Sequence, residues 1–240
     1  MKYITKQGAP RDYLDWCKAN QGLANEDYRC LQNPEKASLH ETLLSEQGDL
    51  CAYTMRRITT NSSHIEHIKP ERECRKKKRG SDLDYENLVA CYPKEGMVNP
   101  YRYGAQEKED WWDDEGNEFV SPLEKRCEEK FSFNLKGEIS AVKGNKEAQT
   151  TIRVLKLDHP SLTEDRERAI SEFILGENGN YPLSPKQATK FIEIVCEKSK
   201  TGKYNEFCVA IKHSLAEYID DLKKATETKK FTKAQQQKNK

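Results

Sequence analysis

Within nine consecutive residues, Ser62-Ser63-His64-Ile65-Glu66-His67-Ile68-Lys69-Pro70, the chain places two imidazoles and a carboxylate over four positions, and an amide, Asn87, follows twenty residues after His67. Imidazole has an ordinary pKa near 6.5, so much of it is neutral and proton-accepting at pH 7. Imidazole and carboxylate are also ligands for hard or borderline divalent metals. The set can therefore supply what hydrolysis of a phosphodiester needs: a base for the proton of water and a cation for the charge on the phosphate and leaving oxygen. His67 is the general base in this reading. The β-branched neighbours suit a half-buried strand, where three polar groups cost burial free energy unless a site uses them.

Side chains alternate along a strand, so a regular strand points His64 and Glu66 to one face and His67 to the other. The strand is therefore expected to end or bend here, with Pro70 and the charged run beyond it making the turn. His64 is then either a second metal ligand or a partner that holds Glu66. Arg75, Lys76, Lys77, Lys78 and Arg79, closed by Gly80, put five cations on a loop directly after the site. With a net charge of only +1, attraction to nucleic acid has to come from such a local cluster rather than from the overall field. The five are the predicted nucleic-acid-binding residues.

Charged residues make up 34% of the 240 positions and hydrophobic ones 35%, so the cores are lean and two small units are expected. Asn33 and Pro34 predict a helix start, Leu39, Leu43 and Leu44 recur at helical spacing, and Gly48 supplies a left-handed stop. Residues 50–53 and 58–68 read as two short strands around a polar turn, with a third element, a helix or loop and helix, downstream of Asn87. Residues 110–118 combine Trp111 and Trp112 with five carboxylates; no histidine lies among them, and they read as packed aromatics flanked by wet acids. Phe131, Phe133 and Leu135, then Lys136-Gly137, then Ile139 and Ala141 predict a hairpin. Ser161 with Glu164 reads as a capping box, and Ser184-Pro185 opens another helix. Phe207, Ala210, Ile211, Leu215, Tyr218, Ile219 and Leu222 form one apolar stripe. The reading gives an α+β chain: a nuclease unit over 1–143 with its core at about 48–110, a helical region over 144–228, and a flexible basic tail over 229–240.

Eight cysteines with no CxxC spacing, behind a start that lacks an apolar signal segment, predict reduced thiols in a cytoplasm. No run of roughly twenty apolar residues is present, so no membrane partner is expected.

The segments LLSEQGDLCAY, HIEHIKP and LDYENLVAC, then Phe119-Val120-Ser121-Pro122-Leu123 with Cys127, Glu128 and Phe131, resemble the PtuB family of HNH nucleases, which accompany retrons and Septu systems. The likeness runs from about Lys2 to about Leu162. It implies a ββα-metal fold, Mg²⁺ or Mn²⁺, and an endonuclease that cuts DNA or RNA as the toxic effector of an anti-phage defence system. It further implies a PtuA-like ATPase partner, with a reverse transcriptase and its msDNA in a retron setting. It makes Glu66, directly before the base histidine, the first metal ligand. Asn87 becomes the amide that ties the loop positioning the base, and Gln106 or Asn99 the third signature residue. Many HNH proteins also carry a zinc held by two Cys pairs; here Thr54 stands three positions after Cys51, and Tyr103 stands where the partner of Cys91 is expected. Structural zinc is therefore not expected, and Cys51 and Cys91 are read as small buried neighbours.

Two other readings compete. A catalytically decayed HNH unit would hold nucleic acid on its basic loop and serve as a binding or scaffold subunit of the same complex. A helical zinc-hydrolase motif would need HxxEH, and the spacing here is one residue short. The apolar stripes of the helical region, residues 161–226, are expected to dock in part onto a partner, which would then gate cleavage.

Overall fold

The computed structural model describes residues 1–97, 100–113, 118–176 and 179–238, with backbone only at 226 and 229–238. Among these residues eight α-helices and four strands follow in the order α1 (Arg11–Asn20), α2 (Glu35–Glu46), β1 (His64–His67), α3 (Glu71–Lys77), β2 (Leu88–Cys91), α4 (Ala105–Lys108), β3 (Phe131–Phe133), β4 (Ile139–Ala141), α5 (Lys146–Leu155), α6 (Pro160–Leu175), α7 (Pro185–Ile194) and α8 (Cys208–Lys238). The strands form two separate antiparallel pairs, β1 with β2 and β3 with β4. This is a mixed α+β chain with small sheets.

α2 buries Leu39, Leu43 and Leu44 and ends before Gly48, whose φ of 56° is left-handed. A Cβ at Gly48 would also lie 2.5 Å from the ring of Tyr204, so both conformation and space call for glycine. The start differs from expectation: Pro34 itself is the N-cap, and no side chain caps the helix.

The expected hairpin of 50–53 with 58–68 does not form. The nearest pairing is an isolated bridge, Leu50 to Arg57, which falls just before the second segment. Met55 turns the chain at φ 64°, and the Ser62 and Ser63 hydroxyls both donate to the Thr59 carbonyl, folding the polar run 59–63 into a turn. What remains extended is His64–His67, and its partner is the wholly buried run Leu88–Cys91, with His64 opposite Cys91 and His67 opposite Leu88. Gln47 completes the other edge of β2. Its Nε2 donates to Ala90 O at 2.8 Å while its Oε1 accepts from Ala90 N at 2.7 Å, the two bonds a neighbouring strand would have made.

β3 and β4 form the hairpin expected from their alternation. Gly137 in its turn, at φ 73°, lets α6 approach so closely that a Cβ would sit 2.4 Å from Thr163 O. α7 begins with the reciprocal capping box of Ser184 and Gln187. α6 does not use Ser161: Pro160 takes the first helical position, where its missing N–H costs nothing, and His159 caps with its ring nitrogen.

α8 continues through Lys238, so the backbone from 229 to 238 is helical rather than a loose tail. Its stripe is largely consumed within the chain. Phe207, Ala210, Ile211, Leu215 and Ile219 are buried, and they belong to the same continuous cluster as Met1, Leu39, Leu88 and Cys127. Backbone bonds seal the junction: Phe207 N donates to Met55 O at 3.2 Å, and Arg57 N donates to the Glu206 carboxylate at 2.9 Å. The stripe therefore closes the fold that carries the histidines, leaving far less apolar surface for docking than the sequence pattern suggests. Among the described residues no helix is long and apolar enough to cross a membrane.

Candidate active site

β1 keeps strict alternation to its last residue. His64 and Glu66 are partly open to solvent, while Ile65 and His67 turn inward. The strand does end at His67, and the residues that follow are held by Asn87. Its Oδ1 accepts from Lys69 N at 2.7 Å and its Nδ2 donates to Lys69 O at 2.8 Å, while Ile68 N donates to Asn87 O at 2.9 Å. One amide thus imitates a strand partner for Lys69 just before Pro70 starts the turn into α3. Nδ2 also points at Cys74 Sγ, 3.4 Å away on α3.

His67 is only 6% exposed and is edge-on to Tyr28, with ring centres 4.6 Å apart. Its Nε2 lies 2.8 Å from the carbonyl oxygen of Asp82, which can only accept, so Nε2 carries the proton and donates. Nδ1 is left with its lone pair, 3.8 Å from Glu71 Oε1. Burial pushes the imidazole pKa below its ordinary value, against the smaller upward pull of the Asp82 carbonyl and the Glu71 carboxylate. A neutral ring of fixed tautomer results.

On the other face, His64 Nδ1 is hydrogen-bonded to the Pro93 carbonyl and therefore donates, which turns Nε2 toward Glu66 Oε2 at 3.5 Å. Two lone pairs so placed need a cation between them, either a proton or a metal ion. A ring N–H on a backbone carbonyl with the opposite nitrogen facing a carboxylate is the arrangement that metal-binding histidines adopt. In the present protonation balance burial lowers the His64 pKa, and Glu66 more than offsets it, so the net shift is upward. His64 Nε2 and Glu66 Oε2 fit as two ligands of one divalent ion. Among the described residues no cluster of three or more His, Cys, Asp or Glu side chains is placed to hold a metal, so water and phosphate would fill the remaining positions.

The second oxygen of Glu66 is taken. Lys108 at the end of α4, its side chain fully buried, puts Nζ 3.0 Å from Glu66 Oε1 and 3.0 Å from the carbonyl oxygen of His67. Burial alone would raise the Glu66 pKa; Lys108 first and His64 next overcome it and hold the carboxyl below its ordinary value. Lys108 was not anticipated from sequence. Gln106, one of the two candidates for the third residue, lies on the same short helix, and Asn99 falls outside the described residues.

The basic run begins as a helix end, and only Lys78 and Arg79 lie in the turn beyond it. Arg75, Lys76 and Lys77 form the last turn of α3, where cations suit the negative end of the helix dipole. Arg75 is committed internally, with NH1 at 3.1 Å from Asp82 Oδ2, 3.1 Å from Glu71 Oε2 and 3.3 Å from Asp27 Oδ1. Lys76 pairs with Glu73 at 2.7 Å, and Lys77, Lys78 and Arg79 are exposed. Trp111 packs on Phe119, and Trp112 faces the Lys69 ammonium; of the acids around them, those at 114 and 115 lie outside the described residues.

Cys51 and Cys91 are fully buried free thiols that share a hydrogen bond. Burial pushes Cys51 up, but hydrogen bonds from Cys91, Thr54 and the Tyr92 amide overcome it and bring it to about 5. Tyr103 stacks on Tyr92 and accepts from Arg56, a polar and aromatic closure at the position where a further thiolate was looked for.

A strand pair ending in an amide-closed turn thus presents His64 and Glu66 on one face and a buried His67 of fixed tautomer on the other. No protein-family model matches the chain. It is similar to a protein of Vibrio cholerae serotype O1 biovar El Tor named "Retron Vc95 putative HNH endonuclease", at 28% identity over 180 residues, which covers 71% of this chain and 83% of that protein.

Proposed function

We propose that the chain is an HNH endonuclease of a retron system, of PtuB type, that hydrolyses phosphodiester bonds in DNA or RNA. The observation that carries this is the double hydrogen bond of Asn87 to Lys69, which fixes the end of the strand bearing His64, Glu66 and His67. The similarity to a retron-associated endonuclease over most of both chains supports the same reading.

In this reading His67 Nδ1 takes the proton of the attacking water. The Asp82 carbonyl holds the ring so that Nδ1 and not Nε2 is the base, and Glu71 at 3.8 Å favours the imidazolium once it forms. His64 Nε2 and Glu66 Oε2 would hold a Mg²⁺ or Mn²⁺ ion, which when bound supplies charge for the phosphate and acidifies its water. Glu66 enters ionised because Lys108 and His64 keep its pKa low. Lys77, Lys78 and Arg79 hold backbone phosphates without reading sequence. The biological role proposed is that of a toxic effector in anti-phage defence, held in check by a PtuA-like ATPase together with the reverse transcriptase and its msDNA.

A second reading is favoured by two particular observations. The Lys108 ammonium already neutralises Glu66, and His67 faces away from Glu66 across the strand. Both suit a decayed unit that binds nucleic acid without cutting it. Cleavage of plasmid DNA and total RNA by the chain with its operon neighbours, in Mg²⁺ or Mn²⁺, separates the two. The proposal expects product, and a loss of about 10²- to 10⁴-fold in His67→Ala, the usual contribution of a general base. Undiminished cleavage by His67→Ala removes His67 as the base, and no cleavage by the wild-type complex leaves the binding subunit.

A further inference from the structure

Beside the site lies a cleft of about 430 Å³ between α2, the 60–63 turn that leads into β1, and the segment after β2. It opens directly onto His64 and Ile65. Its charged lining is mixed: Lys36 and Glu41 come from α2, Lys94 and Glu95 from the opposite wall. None of these four has an ion-pair partner within 4.0 Å among the described residues, whereas most other cations close to the site are paired. Glu41, Lys94 and Glu95 are exposed and Lys36 is half-buried, so two ammonium groups and two carboxylates around one small space remain available to a ligand.

His40 lines the same cleft. Its Nε2 is bonded to Ser63 Oγ at 2.9 Å, and that hydroxyl donates to Thr59 O at 2.6 Å, so the relay makes Nε2 the protonated nitrogen and leaves Nδ1 as an acceptor. Burial first, then the positive charges of His64, Lys36 and Lys94, drive the imidazole down to about 4. The Lys36 ammonium lies 5.0 Å from the centre of the Tyr28 ring, which holds its stem along the wall and its charge over the cleft.

We propose that this cleft is a nucleotide subsite that holds one unpaired nucleotide next to the bond to be cut, Lys36 and Lys94 gripping its phosphate and Glu41 and Glu95 accepting from donor groups on its base. The inference rests on the reading of the site as a nuclease and adds its specificity pocket. The size falls within the range of about 300–1,000 Å³ typical of clefts for small ligands, so a single extruded or single-stranded nucleotide enters and a duplex does not. Carboxylates only accept, which selects bases by their N–H groups. Guanine, whose N1–H and N2–H lie side by side on one edge, answers a carboxylate best; uracil and thymine, with a lone N3–H, answer it least.

The test is anisotropy binding of labelled twelve-nucleotide strands to the full chain in EDTA, where no cleavage intervenes. Oligothymidine or oligouridine carries a single central guanine, cytosine or adenine, in DNA and RNA series, with a duplex of the same length as control. The double variant Lys36→Ala/Lys94→Ala is expected to weaken all single strands at least about fivefold and to lower the log-log salt slope by about 0.7, the value for one phosphate contact. Glu41→Gln and Glu95→Gln are expected to keep that slope and flatten the preference for guanine, with unchanged thermal melting as the check on folding. Lysine variants that bind single strands like wild type, or lose duplex binding equally, overturn the subsite. Parallel cleavage assays keep the two readings apart. A wild type that cuts nothing but binds as described fails as a nuclease and keeps its nucleotide subsite; a wild type that cuts while the lysine variant binds and cuts unchanged keeps the activity and loses the subsite.

Discussion

Replacing Asn87 by alanine tests the keystone of the site without touching any proposed reacting group. The amide makes two hydrogen bonds to the backbone of one residue, at 2.7 Å to Lys69 N and 2.8 Å to Lys69 O, in a partly buried setting. Alanine leaves both Lys69 groups without their partner. Each costs about 1–3 kcal/mol if water cannot reach it, and less where it can, so the loss should fall at about 2–4 kcal/mol. That is a large share of the roughly 5–15 kcal/mol that holds a typical domain. Urea unfolding at constant m-value measures it. Hydrogen exchange localises it, because the Lys69 amide should lose protection while amides of β2 keep theirs. Asn87→Asp sharpens the test: it retains the acceptor for Lys69 N but sets a carboxylate oxygen against Lys69 O, so it should be no better than alanine. A loss below about 0.5 kcal/mol for Asn87→Ala, or an aspartate variant equal to wild type, refutes the clamp.

Lys108→Met should destabilise by about 2–4 kcal/mol, since it strips a carboxylate in a largely desolvated setting of its main counter-charge, and Lys108→Met/Glu66→Gln should recover most of that loss in the same urea assay. If the double variant is no more stable than the single one, the two groups do not form the pair described. Lys77→Ala/Lys78→Ala/Arg79→Ala should lower the salt slope of duplex binding by up to about 0.9 per lost phosphate contact with no change in melting temperature. Arg75→Ala should instead lower the melting temperature, because Asp82, fully buried, loses the guanidinium that pairs with it. His40 gives a pH dependence of known sign. Its folded pKa of about 4 lies below the unfolded value near 6.5, so the unfolded chain binds more protons between those values and stability falls as pH drops from 6.5 toward 4. Discounted for its partial exposure the effect is about 1–2 kcal/mol, and His40→Gln should remove it from the pH profile of the urea midpoint.

The periodic parts of the fold were legible because period and burial are the same fact seen twice. Leu39, Leu43 and Leu44 gave α2, Phe131 and Phe133 gave the β3–β4 hairpin, and Ser184-Pro185 gave the start of α7. The alternation that set His67 apart from His64 and Glu66 was equally plain, and the strand keeps it. Pairing was another matter. Residues 50–53 and 58–68 have strand-like composition, yet strand propensity says only that a segment fits a pleated surface, not which partner it will find. The serine hydroxyls at 62 and 63 bonded locally to Thr59, an option open to any short polar side chain, and Leu88–Cys91 won the strand instead.

Charge was the least legible property. Five consecutive cations looked equivalent, but helical geometry put Arg75 on the inner face among Asp27, Glu71 and Asp82 and left its neighbours outside. Lys108 makes the same point more strongly. It lies 42 positions from Glu66, on a helix of four residues with no pattern to mark it, and it is the main counter-charge of the candidate ligand. Its ammonium and a divalent ion both satisfy Glu66 electrostatically, and the two repel each other at short range. An ion held by His64 Nε2 and Glu66 Oε2 must therefore either tolerate Lys108 on Oε1 or displace it from a buried position. In the first case Lys108→Met tightens metal binding by removing a like charge. In the second, metal binding to the wild type also drives α4 outward, and exchange at its amides rises on titration with Mg²⁺ or Mn²⁺. A protein in which neither ion alters protection at Lys108, and in which Lys108→Met gains no affinity for either, has an ammonium where a nuclease has its metal, and the binding-subunit reading is then the one to keep.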